Sequence, residues 1–229
     1  MPRKRHAGRL DEIADAATAV FIRHGFGPAK VADIARVARV GPGTVYLYAE
    51  GKDALLDLAL RRAFEDPALL GLALPHRSHT RSATADHLWR CIQNAAHFPR
   101  LWLASESAAP ERIEGEVAGI LEELYAWLAR YRRGIRLIER TAGDWPELAQ
   151  LFHRRFWRGG VRRLAAYLER RRQEGVLPAR GQALAAAHLV VESLAWMAVH
   201  RHWAPDPPAV SEQEALNTSV RLLTGALLS

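Results

Sequence analysis

Residues 31–56, VADIARVARVGPGTVYLYAEGKDALL, decide the architecture. Val31, Ile34, Ala35 and Ala38 recur at helical spacing and define a short helix with one apolar face. Arg39-Val40-Gly41 turns the chain. Pro42 suits the first position of a following helix, where its missing N–H has no intrahelical partner. That helix spans only about two turns and ends near Tyr48-Ala49. Two short helices joined by a tight turn are the elements of a helix-turn-helix. Ile34, Ala35 and Val45 pack the pair together, Val40 plugs the turn, and Ala35 and Ala38 let the helices cross closely. The outer face of the second helix is left with Pro42, Gly43, Thr44, Leu47 and one or both of Tyr46 and Tyr48.

Such a face has a chemistry. A recognition helix enters the major groove with its N-terminal residues leading. Thr44 suits a base edge or a phosphate, and its methyl group or Leu47 suits a thymine methyl. Tyr46 and Tyr48 offer hydroxyls to phosphate oxygens, and Lys52 adds a cation at the start of the next helix. Ahead of the unit, Arg3, Lys4 and Arg5 stand close to Arg9 with no acid among them. They form either an arm along phosphates or a minor groove, or a soluble tail.

Outward from this core, helical periodicity runs nearly end to end, with no sustained period-two alternation. Leu10, Ile13, Ala17, Val20 and Phe21 mark a first helix, stopped by Gly25 and Gly27-Pro28. A fourth begins near Lys52 and breaks at Pro67, and residues 71–80 read as a loop. Longer helical patterns run from Ala83 to Phe98, from Glu111 past Ile138, from Pro146 to Gln173, from Gln182 to Trp203 and from Ser211 to Leu228. The expected fold is all-α: a three-helix helix-turn-helix domain at 1–56, then a larger helical ligand-binding and dimerisation domain at 57–229.

Composition narrows the function classes. Hydrophobic residues make up 49% of the chain and charged residues 25%, the balance of a globular protein rather than a disordered one. The net charge of +7 favours a polyanionic partner, although arginine-rich, lysine-poor usage also follows from a GC-rich genome. One cysteine, Cys91, excludes an intramolecular disulfide framework and reads as a buried apolar residue or, as the minor alternative, a redox sensor. The stretch from Ala183 to Val199 is interrupted by His188 and Glu192, so it reads as a buried or interfacial helix. No secretory signal is visible, and the expected location is the cytoplasm.

The segment Arg9–Leu56 resembles the DNA-binding domain of the TetR family of regulators. The resemblance rests on His24-Gly25-Phe26 closing the first helix, on Val31-Ala32-Asp33-Ile34-Ala35, on Gly43-Thr44-Val45-Tyr46, and on Lys52 followed by Asp53-Ala54-Leu55-Leu56. It implies a dimer that binds a pseudo-palindromic operator, usually as a repressor, and releases it when a small molecule enters the C-terminal domain. It places DNA contacts on Gly43, Thr44, Tyr46, Leu47 and Tyr48, with Lys52 on phosphate. Three positions depart from the pattern. Ala49 stands where many members carry Phe, Tyr48 where His is frequent, and Ala29-Lys30 where a Thr/Ser pair starts the second helix. The last removes a hydroxyl cap and a possible phosphate contact, which Lys30 is placed to replace.

Trp89, His97, Trp102, Tyr125 and Trp127 are candidate walls of a ligand cavity, against the alternative of ordinary core packing. The arginines between Arg130 and Arg172 read as a solvated helix face before an anion site. Leu184, Val191, Leu194 and Ala198, with Val220, Leu223 and Leu227, are candidates for a dimer interface. Such an interface holds two recognition helices ~34 Å apart, at successive major grooves. There is no Cys pair, no His-Glu-x-x-His run and no phosphate-cradling glycine loop, so no metal site, cofactor or catalytic residue is expected. A ligand-responsive repressor leads this reading. An activator or corepressor-dependent regulator, a helical enzyme, and a nonspecific DNA binder remain open.

Overall fold

Leu10, Ile13, Ala14, Ala17, Val20 and Phe21 are buried along one side of α1 (Arg9–His24), at the i, i+3, i+4 spacing of an amphipathic helix. The computed structural model describes residues 8–78, 80–207 and 209–229. α1 is followed by α2 (Val31–Val37), α3 (Pro42–Tyr46) and α4 (Lys52–Ala63). A short 3₁₀ turn (Pro67–Gly71) precedes α5 (Arg81–Ala95). Next come α6 (Pro99–Glu106), α7 (Ile113–Arg130), α8 (Arg132–Thr141) and α9 (Pro146–Leu151). A π-helical turn at Phe152–Trp157 leads into α10 (Arg158–Gln173), α11 (Ala183–Ala198) and α12 (Glu212–Leu228). Among the described residues no strand forms, and Ala49 and His76 make an isolated parallel bridge.

Several boundaries differ from the periodicity reading. The pattern from Glu111 past Ile138 is two helices divided at Tyr131, whose φ of −99° and ψ of 15° leave the helical region. The pattern from Pro146 to Gln173 is interrupted by the π turn. The loop expected after residue 71 holds the bridge at His76, and α6 is an additional short helix with Pro99 in its first turn.

The chain folds into two compact units. The first comprises the residues up to Ala95 together with Arg133–Phe152. The helix-turn-helix therefore shares its unit with α5, most of α8, and α9. α1 packs on α2 and α4, α2 on α3, α4 on α5, and α5 on α9. The Thr18 hydroxyl, buried in α1, bonds the Ala14 carbonyl and reaches Ala59 of α4. α4 also carries a buried polar row. The guanidinium of Arg61 bonds Asp57 Oδ2 at 2.9 Å and Asp66 Oδ2 at 2.8 Å, and His76 Nε2 meets Asp57 Oδ2 at 2.5 Å.

The second unit comprises Ala96–Arg132 and His153–Ser229. α11 lies against α10, α7 and α12, with Ala187, Val190, Leu194 and Ala198 in its core. Arg171, fully buried, bonds Glu116 of α7 through Nε at 2.8 Å and NH2 at 2.9 Å, and the Ala104 carbonyl of α6 at 2.8 Å. Glu212, at the start of α12, accepts from Tyr125, Arg132 and Arg201. Burial alone raises the Glu212 carboxyl, but these donors hold it below the usual carboxylate range. Burial and the same carboxylate push the Tyr125 phenol up to about 12.

Candidate nucleic-acid interface

Backbone bonds close the turn between α2 and α3. The Val40 N–H donates to Ala35 O at 2.9 Å, and the Ala38 N–H to Ile34 O at 2.9 Å. Arg39 between them takes a left-handed φ of 54°. Ile34, Ala35, Ala38 and Val45 are buried between the helices, in the roles expected of them. α2 begins at Lys30 with no side-chain oxygen capping it, as the loss of the Thr/Ser pair implies.

α3 divides cleanly. Pro42 and Gly43 are exposed, Thr44 is half-buried, and Tyr46 and Leu47 are 50% and 41% exposed. A side chain added at Gly43 meets nothing within 4 Å. Tyr48 departs from the expectation of an outward hydroxyl: it is 4% exposed, together with buried Ala49. The reason is register. Tyr48 and Ala49 follow Val45 by three and four residues and share its inward face. Their chain is held there by His76, whose N–H donates to Tyr48 O at 2.7 Å and whose carbonyl accepts from Glu50 N–H at 3.0 Å.

Lys52 is half-buried, with Nζ 2.8 Å from Gly27 O and 4.6 Å from the centre of the Phe26 ring. It ties the start of α4 to the loop between α1 and α2, a role its sequence position did not announce. Lys30 is exposed, as are Arg36, paired with Asp33 at 2.8 Å, and Arg39. The arm residues Arg3, Lys4 and Arg5 lie outside the described residues.

Sequence reading missed a second support of this loop. Asp144 Oδ2 accepts from the Gly27 N–H at 2.8 Å, and Trp145, fully buried, meets Phe26 edge-on at 5.8 Å between ring centres. Arg140 of α8 donates to the Ile22 and Arg23 carbonyls, closing the end of α1. No local pattern marks partners more than a hundred residues apart.

The candidate cavity residues fall in different places. Trp89 is half-buried in the first unit. In the second, His97 and Trp102 are exposed, Tyr125 is buried on Glu212, and Trp127 is buried beside Phe98, Tyr131 and Phe156. The arginine run also divides: Arg154, Arg155, Arg158, Arg162 and Arg163 are exposed, whereas Arg171 is enclosed in ion pairs. Of the candidate interface residues, Leu194, Ala198 and Val220 are buried within the chain's own core, a correction to their outward reading. Val191, Leu223 and Leu227 are half-buried, and Leu184 is exposed with Leu189, Trp196 and Leu222. Burial and the Asp66 charge push the Cys91 thiol up to about 12.

No curated protein sequence matches the chain. Three solved structures share its fold. The ketosteroid transcriptional regulator KstR2 of Mycobacterium tuberculosis has 14% identity and a TM-score of 0.60, covering 98% of this chain and 97% of that one. AibR, solved in complex with isovaleryl coenzyme A and operator DNA, has 13% identity and a TM-score of 0.56 over 94% and 98%. SmeT, the repressor of the Stenotrophomonas maltophilia multidrug efflux pump SmeDEF, has 15% identity and a TM-score of 0.50 over 98% and 92%. The family described as bacterial regulatory proteins, tetR family, matches residues 13–59, the stretch from the first buried turn of α1 through most of α4. Residues 13–59 thus form an N-terminal domain of the type described as bacterial regulatory proteins, tetR family.

Proposed function

We propose that the chain is a sequence-specific DNA-binding transcription regulator, a repressor that acts as a homodimer and leaves its operator when a small molecule binds. The observation that carries this reading is the divided face of α3: Val45 is buried while Pro42, Gly43, Tyr46 and Leu47 stand free at the surface. Thr44, Tyr46, Leu47 and Gly43 then read base edges and adjacent phosphates, with Lys30 as a further phosphate contact. Arg3, Lys4 and Arg5 extend the contact along the backbone. Residues 1–56 serve DNA binding and 57–229 serve effector binding and dimerisation.

The effector reading draws on fold-mates: AibR is described with isovaleryl coenzyme A and operator DNA, and SmeT as a repressor. In this chain the aromatic group around Trp127 is the best candidate for an apolar effector wall. The dimer contact uses the exposed apolar side chains Leu184, Leu189, Trp196 and Leu222 on α11 and α12. The chain binds rather than catalyses. Among the described residues no helix is long and apolar enough to cross a membrane.

Fluorescence anisotropy on the DNA upstream of the gene, against a scrambled duplex at ~150 mM salt, tests the reading. A dissociation constant near ~10⁻⁸ M with a preference above ~10³ supports a specific regulator. Equal, weak binding to both duplexes and to a genomic selection pool points instead to a nonspecific binder. Addition of an effector that strengthens rather than weakens the complex favours the corepressor-dependent alternative.

A further inference from the structure

Asp66, His87 and Cys91 bring a carboxylate oxygen, an imidazole nitrogen and a sulfur within 4.8 Å of one another. His87 and Cys91 stand four apart on α5, one above the other on one face. Asp66 comes from the residue that opens the 3₁₀ turn after α4. His87 Nε2 lies 2.8 Å from Asp66 Oδ2 and 3.2 Å from Cys91 Sγ. One ring nitrogen thus serves two neighbours, and a single proton on it satisfies only one of them.

We propose that Asp66, His87 and Cys91 form a binding site for a borderline-soft divalent transition metal of the zinc or cobalt type, completed by a water. The donor set points there. Mixed sulfur, nitrogen and oxygen ligands suit zinc-like ions, whereas magnesium and calcium take oxygen. Three protein ligands and one open position make a tetrahedral site. A tetrahedral ion bound at ~2.0–2.3 Å sets neighbouring donors ~3.3–3.6 Å apart. Relative to the present 2.8 and 3.2 Å, the ligands need only part by a few tenths of an ångström.

Charge and access agree. Arg61 is shared between Asp57 and Asp66, so Asp57 continues to neutralise it when Asp66 turns to the ion. His76, from the following loop, pairs with Asp57. Cys91 is buried, but the His87 side chain is 20% exposed and gives the ion an entry. On binding, the Cys91 thiol proton leaves to solvent, and His87 ligates through Nε2 as the neutral imidazole with its proton on Nδ1. The thiolate, the imidazole and the carboxylate then bond the ion directly. None of this depends on what α3 binds.

Cobalt is the probe that reads the site, because the chain has one cysteine and any thiolate-to-cobalt charge-transfer band must come from Cys91. The full-length protein, stripped with chelator, is titrated with Co²⁺ and followed by absorption. The expected result is a saturable one-to-one near-ultraviolet charge-transfer band, displaced by Zn²⁺ and accompanied by a higher melting temperature. Cys91→Ser should abolish the band. His87→Gln, whose fold is checked by circular dichroism, should weaken binding at least ~10-fold, since loss of even an outer-shell partner costs that much. Cobalt binding without the charge-transfer band, or a band unchanged in His87→Gln, would overturn the proposal.

Discussion

Asp144 holds the loop between α1 and α2 through the Gly27 N–H, at 2.8 Å, across 117 residues of sequence. A side chain at Gly27 would bring a Cβ to 2.9 Å from Asp144 Oδ1, so the glycine is what lets the carboxylate approach. With Lys52 on the Gly27 carbonyl, the loop that precedes the helix-turn-helix is fixed from both sides. Asp144→Ala is expected to lower stability by about 1 kcal/mol, the net worth of an exposed hydrogen bond to a carboxylate. Urea denaturation with an unchanged m-value checks it. No change in midpoint would mean that the loop is fixed by the aromatic packing of Phe26 and Trp145 alone.

Lys30 separates stability from binding. It sits at the N-cap of α2 without a side-chain cap, so Lys30→Thr should stabilise the protein by ~1 kcal/mol. If Lys30 contacts phosphate, the same change should weaken DNA binding on every sequence and reduce the salt slope by about one. Thermal melts and anisotropy at several salt concentrations measure the two effects. Stabilisation with unaltered DNA affinity would remove Lys30 from the interface.

Arg171→Met should destabilise the second unit by about 3 kcal/mol, the lower end for breaking a buried ion pair, because Glu116 retains 17% exposure. Adding Glu116→Gln should recover part of the loss, since it removes the uncompensated carboxylate. A double-mutant cycle by chemical denaturation reads both. Losses that simply add would show that the pair is not coupled.

Acid should reach the first unit through Asp57. Burial raises its carboxyl, but the His76 and Arg61 bonds outweigh burial and hold it below the usual value. A depressed folded pKa gives stability that is complete above the unfolded value of ~3.9 and is lost as pH falls through the lower folded value. Asp57→Asn should therefore be less stable at neutral pH and show a flatter decline below pH ~4. Equal acid slopes in the two proteins would assign the acid sensitivity elsewhere.

What the sequence revealed follows the range of the forces involved. The α2–α3 pair was legible because Ile34, Ala35, Val40 and Val45 meet within a dozen residues. Even the inward turn of Tyr48 was available from its three-residue spacing to Val45, although the presence of a hydroxyl argued for the opposite face. Asp144 and Arg140 were not legible, since nothing local distinguishes them from other exposed charges. α11 shows a different limit. It is apolar on two sides, and periodicity alone does not say that Leu194 and Ala198 face the core while Leu189 and Trp196 face out. In α4 the four-residue spacing of Asp57 and Arg61 is local, but their burial and their His76 and Asp66 partners come from tertiary structure.

The outer face of α3 as the DNA-reading surface is tested most directly by Gly43→Asp. The position is exposed and its added side chain meets nothing, so the melting temperature should stay within a degree or two of the parent. A carboxylate there would face the phosphates and the groove, and anisotropy on the preferred duplex should show specific binding reduced by at least ~100-fold. An equally stable variant that binds the duplex as tightly as the parent would contradict the account.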